Sequence, residues 1–372
     1  MRRVLAVVLG LALLVAAAVW LPAEPGLVAE LVATIDTGED LAVVAAWSPD
    51  GQRLAYGTEK ERQRRQHPLS TDGSSPYYYP GEVWVTDFTK KSKRVLKHNF
   101  LRRFVGSFFS FSVERLAWSP NGKRLAVEIL DEDKDINTFL ITAKGKRVKL
   151  GSMRQNYVPA YGAAWLSDSQ SLALLTEVVR PRLLHQVAIL RVAAGRSLSL
   201  FPRSTFAAVA WLPRTSQAVL VERDREFSQP PRLMLGDLNG GTLELLDELA
   251  EGYLGGLQAS PDGTRVSYFV GQQELAVRGL TAEAKVERWP IPFGRYEWAD
   301  DTVLFLEKES PTSRAGWLVR YDPTRGEKQR VLPEETIYDF WPSRDGNRVA
   351  VLTASEKPTL KVYQLAPLSN QR

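Results

Sequence analysis

Short runs in which apolar and polar residues alternate, each closing on an anchor residue and a turn, recur along the chain. They read "AVVAAWSPDGQRLAYG", "VERLAWSPNGKRLAVEI", "AYGAAWLSDSQSLALLT", "AAVAWLPRTSQAVLVE", "LGGLQASPDGTRVSYFV", "RYEWADDTVLFLE" and "IYDFWPSRDGNRVAVLT". Period-two alternation predicts strands rather than helices. The "WSPDG" string between two such runs predicts a tight turn. Pro presets φ, Asp bonds the backbone ahead of it, and Gly takes the left-handed conformation. Each unit is therefore expected to be a hairpin whose first strand ends at a large buried tryptophan.

The anchors are Trp47, Trp118, Trp165, Trp211, Gln258, Trp298 and Trp341, at successive gaps of 71, 47, 46, 47, 40 and 43 residues. Strand-like units recurring every 40–45 residues or so are the signature of propeller blades. Two outer strands complete each unit. "EVWVTDF" and "KRVLKH" flank "TKKSK", "RLMLGDL" and "TLELLDE" flank "NGG", and "WLVRYD" and "EKQRVLP" flank "PTRG". The last unit offers three strands, and "LVAELVATID" (Leu27–Asp36) is expected to supply its fourth, hiding an edge. The reading is an all-β, seven-bladed β-propeller over residues 27–372, with six blades as the alternative count.

The "WSPDG-x-x-LA" pattern followed by a "VWVTD"-like third strand resembles the TolB-type, WD-repeat-like periplasmic propellers from about Leu27 onward. The resemblance implies a propeller fold in the cell envelope. TolB itself carries an additional N-terminal α/β domain and six blades, which this sequence does not show. No hydrolase domain of the prolyl-oligopeptidase kind follows the repeats either, so the resemblance speaks to fold more than to function.

Ahead of the repeats, "MRR" precedes an apolar run from Val4 to Pro22 with no charge until Glu24. Residues 1–23 therefore read as a signal peptide or an uncleaved membrane-anchor helix, with Arg2 and Arg3 on the cytoplasmic side. Small residues at Ala16–Ala18 and Ala23 offer cleavage points. The 19-residue length and the interfacial Trp20 favour the anchor. The propeller is expected outside the cytoplasm, in the periplasm or on the outer face of the membrane. The chain has no cysteine, so disulfides and a lipobox are both excluded.

Composition adds little: 44% apolar and 24% charged residues are ordinary for a globular domain. The excess of 48 Lys and Arg over 43 Asp and Glu is only +5, too small for a nucleic-acid surface. No nucleic-acid partner is expected.

In a four-stranded blade the second-to-third and fourth-to-next-first connections share one end. Two long insertions fall there, Thr58–Glu82 and Lys97–Arg115. They bring Arg62, Arg64, Arg65, Tyr77, Tyr78 and Tyr79 beside Arg102, Arg103, Phe104, Phe108, Phe109 and Phe111. Arginine and aromatic residues are what protein interfaces enrich. The expected partner is another envelope or membrane protein, with a solvated loop as the bland alternative and anionic lipid as a rival. Asp131, Asp133, Asp135 and Asn137 alternate as calcium-loop oxygens do, but Ile136 and Thr142 stand where Gly and Glu belong. A solvated acidic loop is the simpler reading, and no metal or cofactor is expected. The three histidines, His67, His98 and His185, lack metal spacing, and no nucleophile motif appears. Glu177, Glu222 and Glu307 recur after second strands as residues able to line one end of the ring. A scaffold or accessory subunit is the reading these observations favour. A propeller hydrolase or lyase, or a glycan binder using the central channel, is the alternative.

Overall fold

The computed structural model describes residues 29–37, 40–60, 82–89, 92–96, 112–130, 136–142, 147–149, 158–178, 184–192, 196–201, 204–213, 215–224, 228–249, 253–310 and 312–366. Residues 1–28, and with them the hydrophobic N-terminal segment, lie outside the described residues. Among the described residues every element is a strand, 28 in all, and no helix is long and apolar enough to cross a membrane.

The strands form four-stranded antiparallel meanders taken in chain order. Their innermost strands are Asp40–Trp47, Ser112–Trp118, Val158–Trp165, Phe206–Trp211, Tyr253–Ala259, Tyr296–Ala299 and Ile337–Pro342. Hydrogen bonding sorts the meanders into five sheets rather than the seven the repeat count suggests: three of four strands and two of eight. Each eight-stranded sheet is two meanders joined by a single pair, His185 with Phe206 in one and Gly316 with Ile337 in the other. The strand Ala29–Ile35 pairs antiparallel with Leu360–Leu365 and becomes the outermost strand of the seventh meander. Chain start and chain end thus share one sheet.

Why the second strands are apolar along their whole length follows from the packing. Ala218 and Leu220, with Phe206 and Met234 of the neighbouring strands, pack on the third meander, whereas Val219 and Val221 pack on the fifth. All four strand residues from Ala218 to Val221 are fully buried. A sheet covered on both faces buries both phases of its alternation. The same division recurs at Val303 and Phe305 against Leu304 and Leu306. The buried clusters accordingly lie between successive meanders, one for each neighbouring pair. The last of them joins Ile35, Leu54 and Tyr56 of the chain's beginning to Trp341, Leu352 and Val362 of its end. The meanders close into a ring.

Two boundaries expected from sequence move. Residues Ser112–Arg115, assigned above to the second insertion, lie on the innermost strand of the second meander, which places Arg115 on a strand. Asn137, the last oxygen of the calcium-like run, lies on the strand Ile136–Thr142 and pairs with Ile129. Asp131, Asp133 and Asp135 lie outside the described residues.

Candidate functional site

The ring has two ends. At one, the inner strands finish in the repeated turns. Ser48, Ser119, Ser260 and Ser343 are at most 1% exposed, and each hydroxyl accepts the amide of the residue five positions on at 2.9 Å. Three of these hydroxyls donate to the turn carboxylate, Asp50, Asp262 or Asp345, at 2.5 Å. Gly51, Gly122, Gly263 and Gly346 hold φ between +64° and +76°. Where the motif has decayed, Ser169 and Asp300 carry φ of 55° and 57° instead. The Ser48 hydroxyl and the Gln52 amide hold the Asp50 carboxyl below the usual range. Burial would raise Asp262, but Ser260 and Thr264 overcome it and hold the carboxyl down to about 2.

The tryptophans do more than fill a core. Trp47, Trp118 and Trp165 are half-buried, and their indoles donate to Trp341 O, Ala46 O and Ala117 O of the preceding meander at 2.9, 3.1 and 2.9 Å. Arginines run the other way. Arg53 donates to Gly122 O at 2.9 Å and lies 4.7 Å over the Trp118 ring, and Arg348 donates to Gly51 O at 3.0 Å. At Gln258 the indole is missing, and its amide reaches forward to Tyr296 O at 2.7 Å. These bonds staple neighbouring meanders at their inner strands, and the staples between the seventh and first meanders close the ring a second time.

At the opposite end the inner strands begin. A cavity of about 890 Å³ runs between the inner strands and is lined by residues from all seven of them. Most of the side chains along it are uncharged and apolar, Ala164, Ala207, Ala208 and Ala210 among them, while the surface they leave open to the channel is more polar than apolar. Charge is confined to Arg115 of the second meander and to Arg295 and Glu297 at the sixth. Arg295 ion-pairs with Asp339, donates to Phe340 O at 2.8 Å, and stacks 5.3 and 5.4 Å over the rings of Phe340 and Trp341. Glu297 is 3.6 Å from Arg295. Its side chain is 37% exposed, yet it is deep within the ring and meets solvent through the channel. That enclosure raises its carboxyl above the ordinary value, against the pull of Arg295 and Arg115 and with the push of Asp339. Burial raises Asp339 as well, opposed by Arg295 and the Phe340 amide.

Sequence reasoning missed this set, although a signal was present. Three residues before the anchor, the other units carry Val44, Gly162, Ala208, Gly255 and Tyr338, where these two carry Arg115 and Arg295. One residue before it stand Ala46, Ala117, Ala164 and Ala210, where the sixth unit has Glu297. A charge at a position that is elsewhere small or apolar marks a departure from the repeat.

Exposed large apolar side chains fall into two groups among the described residues. Leu31, Val32, Leu245 and Val286 sit on outermost strands. Leu254, Phe293 and Tyr338, 40–48% exposed, sit where the inner strands of three successive meanders begin, beside Arg295 and Asp339. A second, polar cavity of about 560 Å³ opens at the same end, by the Glu222–Arg232 ion pair of 2.6 Å. Glu222 and Glu307, expected to line this end, pair across strands with Arg232 and Arg330, as Glu82 does with Arg94. Such pairs are structural.

The strands that flank the two long connections meet them at this end. Arg62, Arg64, Arg65, Tyr77, Tyr78, Tyr79, Arg102, Arg103, Phe104, Phe108 and Phe109 themselves lie outside the described residues. Among the described residues no three His, Asp or Glu side chains gather as a metal site.

No family model matches the chain, and no curated protein does. Solved structures are similar to it. Oligogalacturonate lyase from Vibrio parahaemolyticus superposes with a TM-score of 0.60 at 9% identity, covering 89% of this chain and 92% of that one. The β-propeller domain of the trilobed protease from Pyrococcus furiosus, described as having an open velcro topology, gives 0.56 at 14%, covering 89% and 97%. TolB from Acinetobacter baumannii, at 0.48 and 14% identity over 86% and 64%, is too distant to weigh. Identities this low speak to fold alone, and the fold of this chain is that of a β-propeller.

Proposed function

We propose that this protein is an extracytoplasmic binding platform, a seven-bladed propeller in which each meander is one blade, that holds another envelope or membrane protein against the end where the inner strands begin. The observation that carries the reading is that Leu254, Phe293 and Tyr338 are exposed where the inner strands of three successive meanders begin. They lie beside the Arg295–Asp339 pair and at the end from which both long connections leave. Apolar anchors rimmed by charge are the arrangement protein interfaces use. The basic N-terminus and the apolar run Val4–Pro22 support a location outside the cytoplasm, held near the membrane. A charge at a position elsewhere small or apolar, as at Arg115, Arg295 and Glu297, sets this end apart from the repeat.

The test is affinity capture from native membranes with the full chain, a Phe293→Ser/Tyr338→Ser variant and a Gln52→Ser control in a turn. Loss of one specific partner from the double variant alone, with an unchanged urea midpoint, supports the platform. A partner set that survives the double variant overturns it.

A further inference from the structure

The channel holds two charged groups of opposite sign whose hydrogen-bonding capacity the described neighbours leave largely unused. Among the described residues, Arg115 makes no hydrogen bond and no ion pair within 4 Å. The Glu297 carboxyl accepts no hydrogen bond, and its one ion-pair partner, Arg295, stands off at 3.6 Å while engaged with Asp339 and Phe340 O. Arg115 belongs to the second meander and Glu297 to the sixth, so they face one another across the ring. They are near enough to interact electrostatically and too far apart to touch. Arg115 is exposed and the Glu297 side chain is 37% exposed, so both reach the water of the channel and keep hydrogen-bonding capacity that a ligand entering it can take up. Between them the channel carries uncharged side chains, Val44 on one side and Val209 and Leu257 on the other.

From this we infer that the channel is a binding site for a dipolar ligand of the amino-acid and short-peptide class, with its carboxylate on Arg115, its ammonium on Glu297 and its apolar body against the alanine-rich wall. Arg presents a planar fork matched to a carboxylate. Glu297 supplies the acceptor that an ammonium group requires, with Asp339 behind Arg295 adding to the negative side. A purely anionic ligand would meet Glu297 and Asp339 without compensation, and a purely cationic one would meet Arg115 and Arg295. A cavity of about 890 Å³ falls within the range of about 300–1,000 Å³ typical of small-ligand sites. The inference rests on reading this end of the ring as its recognition end, but it concerns the channel rather than Leu254, Phe293 and Tyr338.

The experiment is isothermal titration calorimetry of the full chain with the tripeptide Ala-Leu-Ala in four forms: free, N-acetylated, C-amidated and doubly capped. Arg115→Gln and Glu297→Gln are titrated beside the wild type, their folding checked by urea midpoint. The free form is expected to bind, and each single cap to weaken binding at least tenfold. Arg115→Gln should bind free and amidated peptide alike, and Glu297→Gln should bind free and acetylated peptide alike. Equal binding of all four forms, no binding of any, or capping effects that both variants retain would each overturn the assignment. Absence of peptide binding together with partner loss in the Phe293→Ser/Tyr338→Ser variant would defeat this inference and leave the platform reading standing.

Discussion

The repeated Ser-Pro-Asp turns and the opening end of the ring use carboxylates in opposite ways. At the turn end, Asp50, Asp262 and Asp345 accept hydrogen bonds from a buried serine and from the backbone just ahead, and their carboxyls are held down. At the opening end, enclosure raises both Glu297 and Asp339, against the guanidinium of Arg295, joined by the Phe340 amide at Asp339 and by the distant Arg115 at Glu297. The same residue type is spent on fold at one end and left available at the other. Repetition marks the first kind of site because every meander needs the same hairpin. Departure from the repeat marks the second.

The comparison can be broken by mutation, beginning with the largest expected effect. Ser260→Ala removes a fully buried hydroxyl that accepts Arg265 N and donates to Asp262. Leaving those groups without a partner costs about 1–3 kcal/mol, read as a lower urea midpoint at constant slope. Arg348→Met severs the staple to Gly51 O between the seventh and first meanders. It should cost about 1.5 kcal/mol, the low end for a charge-assisted bond because the residue is only half-buried. At the opening end the sign changes. Glu297→Gln should leave stability at neutral pH within about 0.5 kcal/mol of wild type or raise it, since a neutral isostere escapes the desolvation of the charge. A loss as large as that of Ser260→Ala would erase the distinction between the ends.

The pH dependence sharpens the same contrast. Asp262 has a folded pKa, about 2, below its ordinary 3.8. Its stabilisation is present above 3.8 and is lost as the pH falls through about 2. Glu297 is raised above its ordinary 4.5, with Arg295, Arg115 and Asp339 facing it. It favours the folded state below 4.5, and that contribution disappears as the pH rises through the folded value. Urea midpoints across pH 3–8 should therefore show wild type falling relative to Glu297→Gln as the pH rises above 4.5. Parallel profiles would mean that the channel does not perturb Glu297.

How much of this was legible in the sequence follows from the same division. The strings "WSPDG" and "WSPNG" expose the hairpin because the turn's backbone chemistry demands those residues, and the closing role of residues near Leu27 follows from a last unit one strand short. The staples were not legible: nothing in the sequence says that the Trp118 indole reaches the Ala46 carbonyl rather than filling a core. Nor was the sheet count, since a single pair such as His185 with Phe206 merges two meanders and leaves no trace in the pattern. The channel was missed for another reason. Arg115 falls both at the end of the insertion Lys97–Arg115 and inside the run "VERLAW", and its register with Glu128 settles it on the inner strand. Residues 61–81 and 97–111, where the sequence concentrates arginines and aromatics, lie outside the described residues, and their part in binding rests on the proposal alone.

The most direct test of the two-ended account is site-specific photocrosslinking in native envelopes, with the crosslinker placed at Tyr338 in one protein and at Gln52 in another. Both positions are exposed and lie at opposite ends of the ring. The account predicts one discrete adduct from position 338 and none from position 52. A discrete adduct from position 52, with none from 338, would contradict it and make the repeated turns the recognition surface.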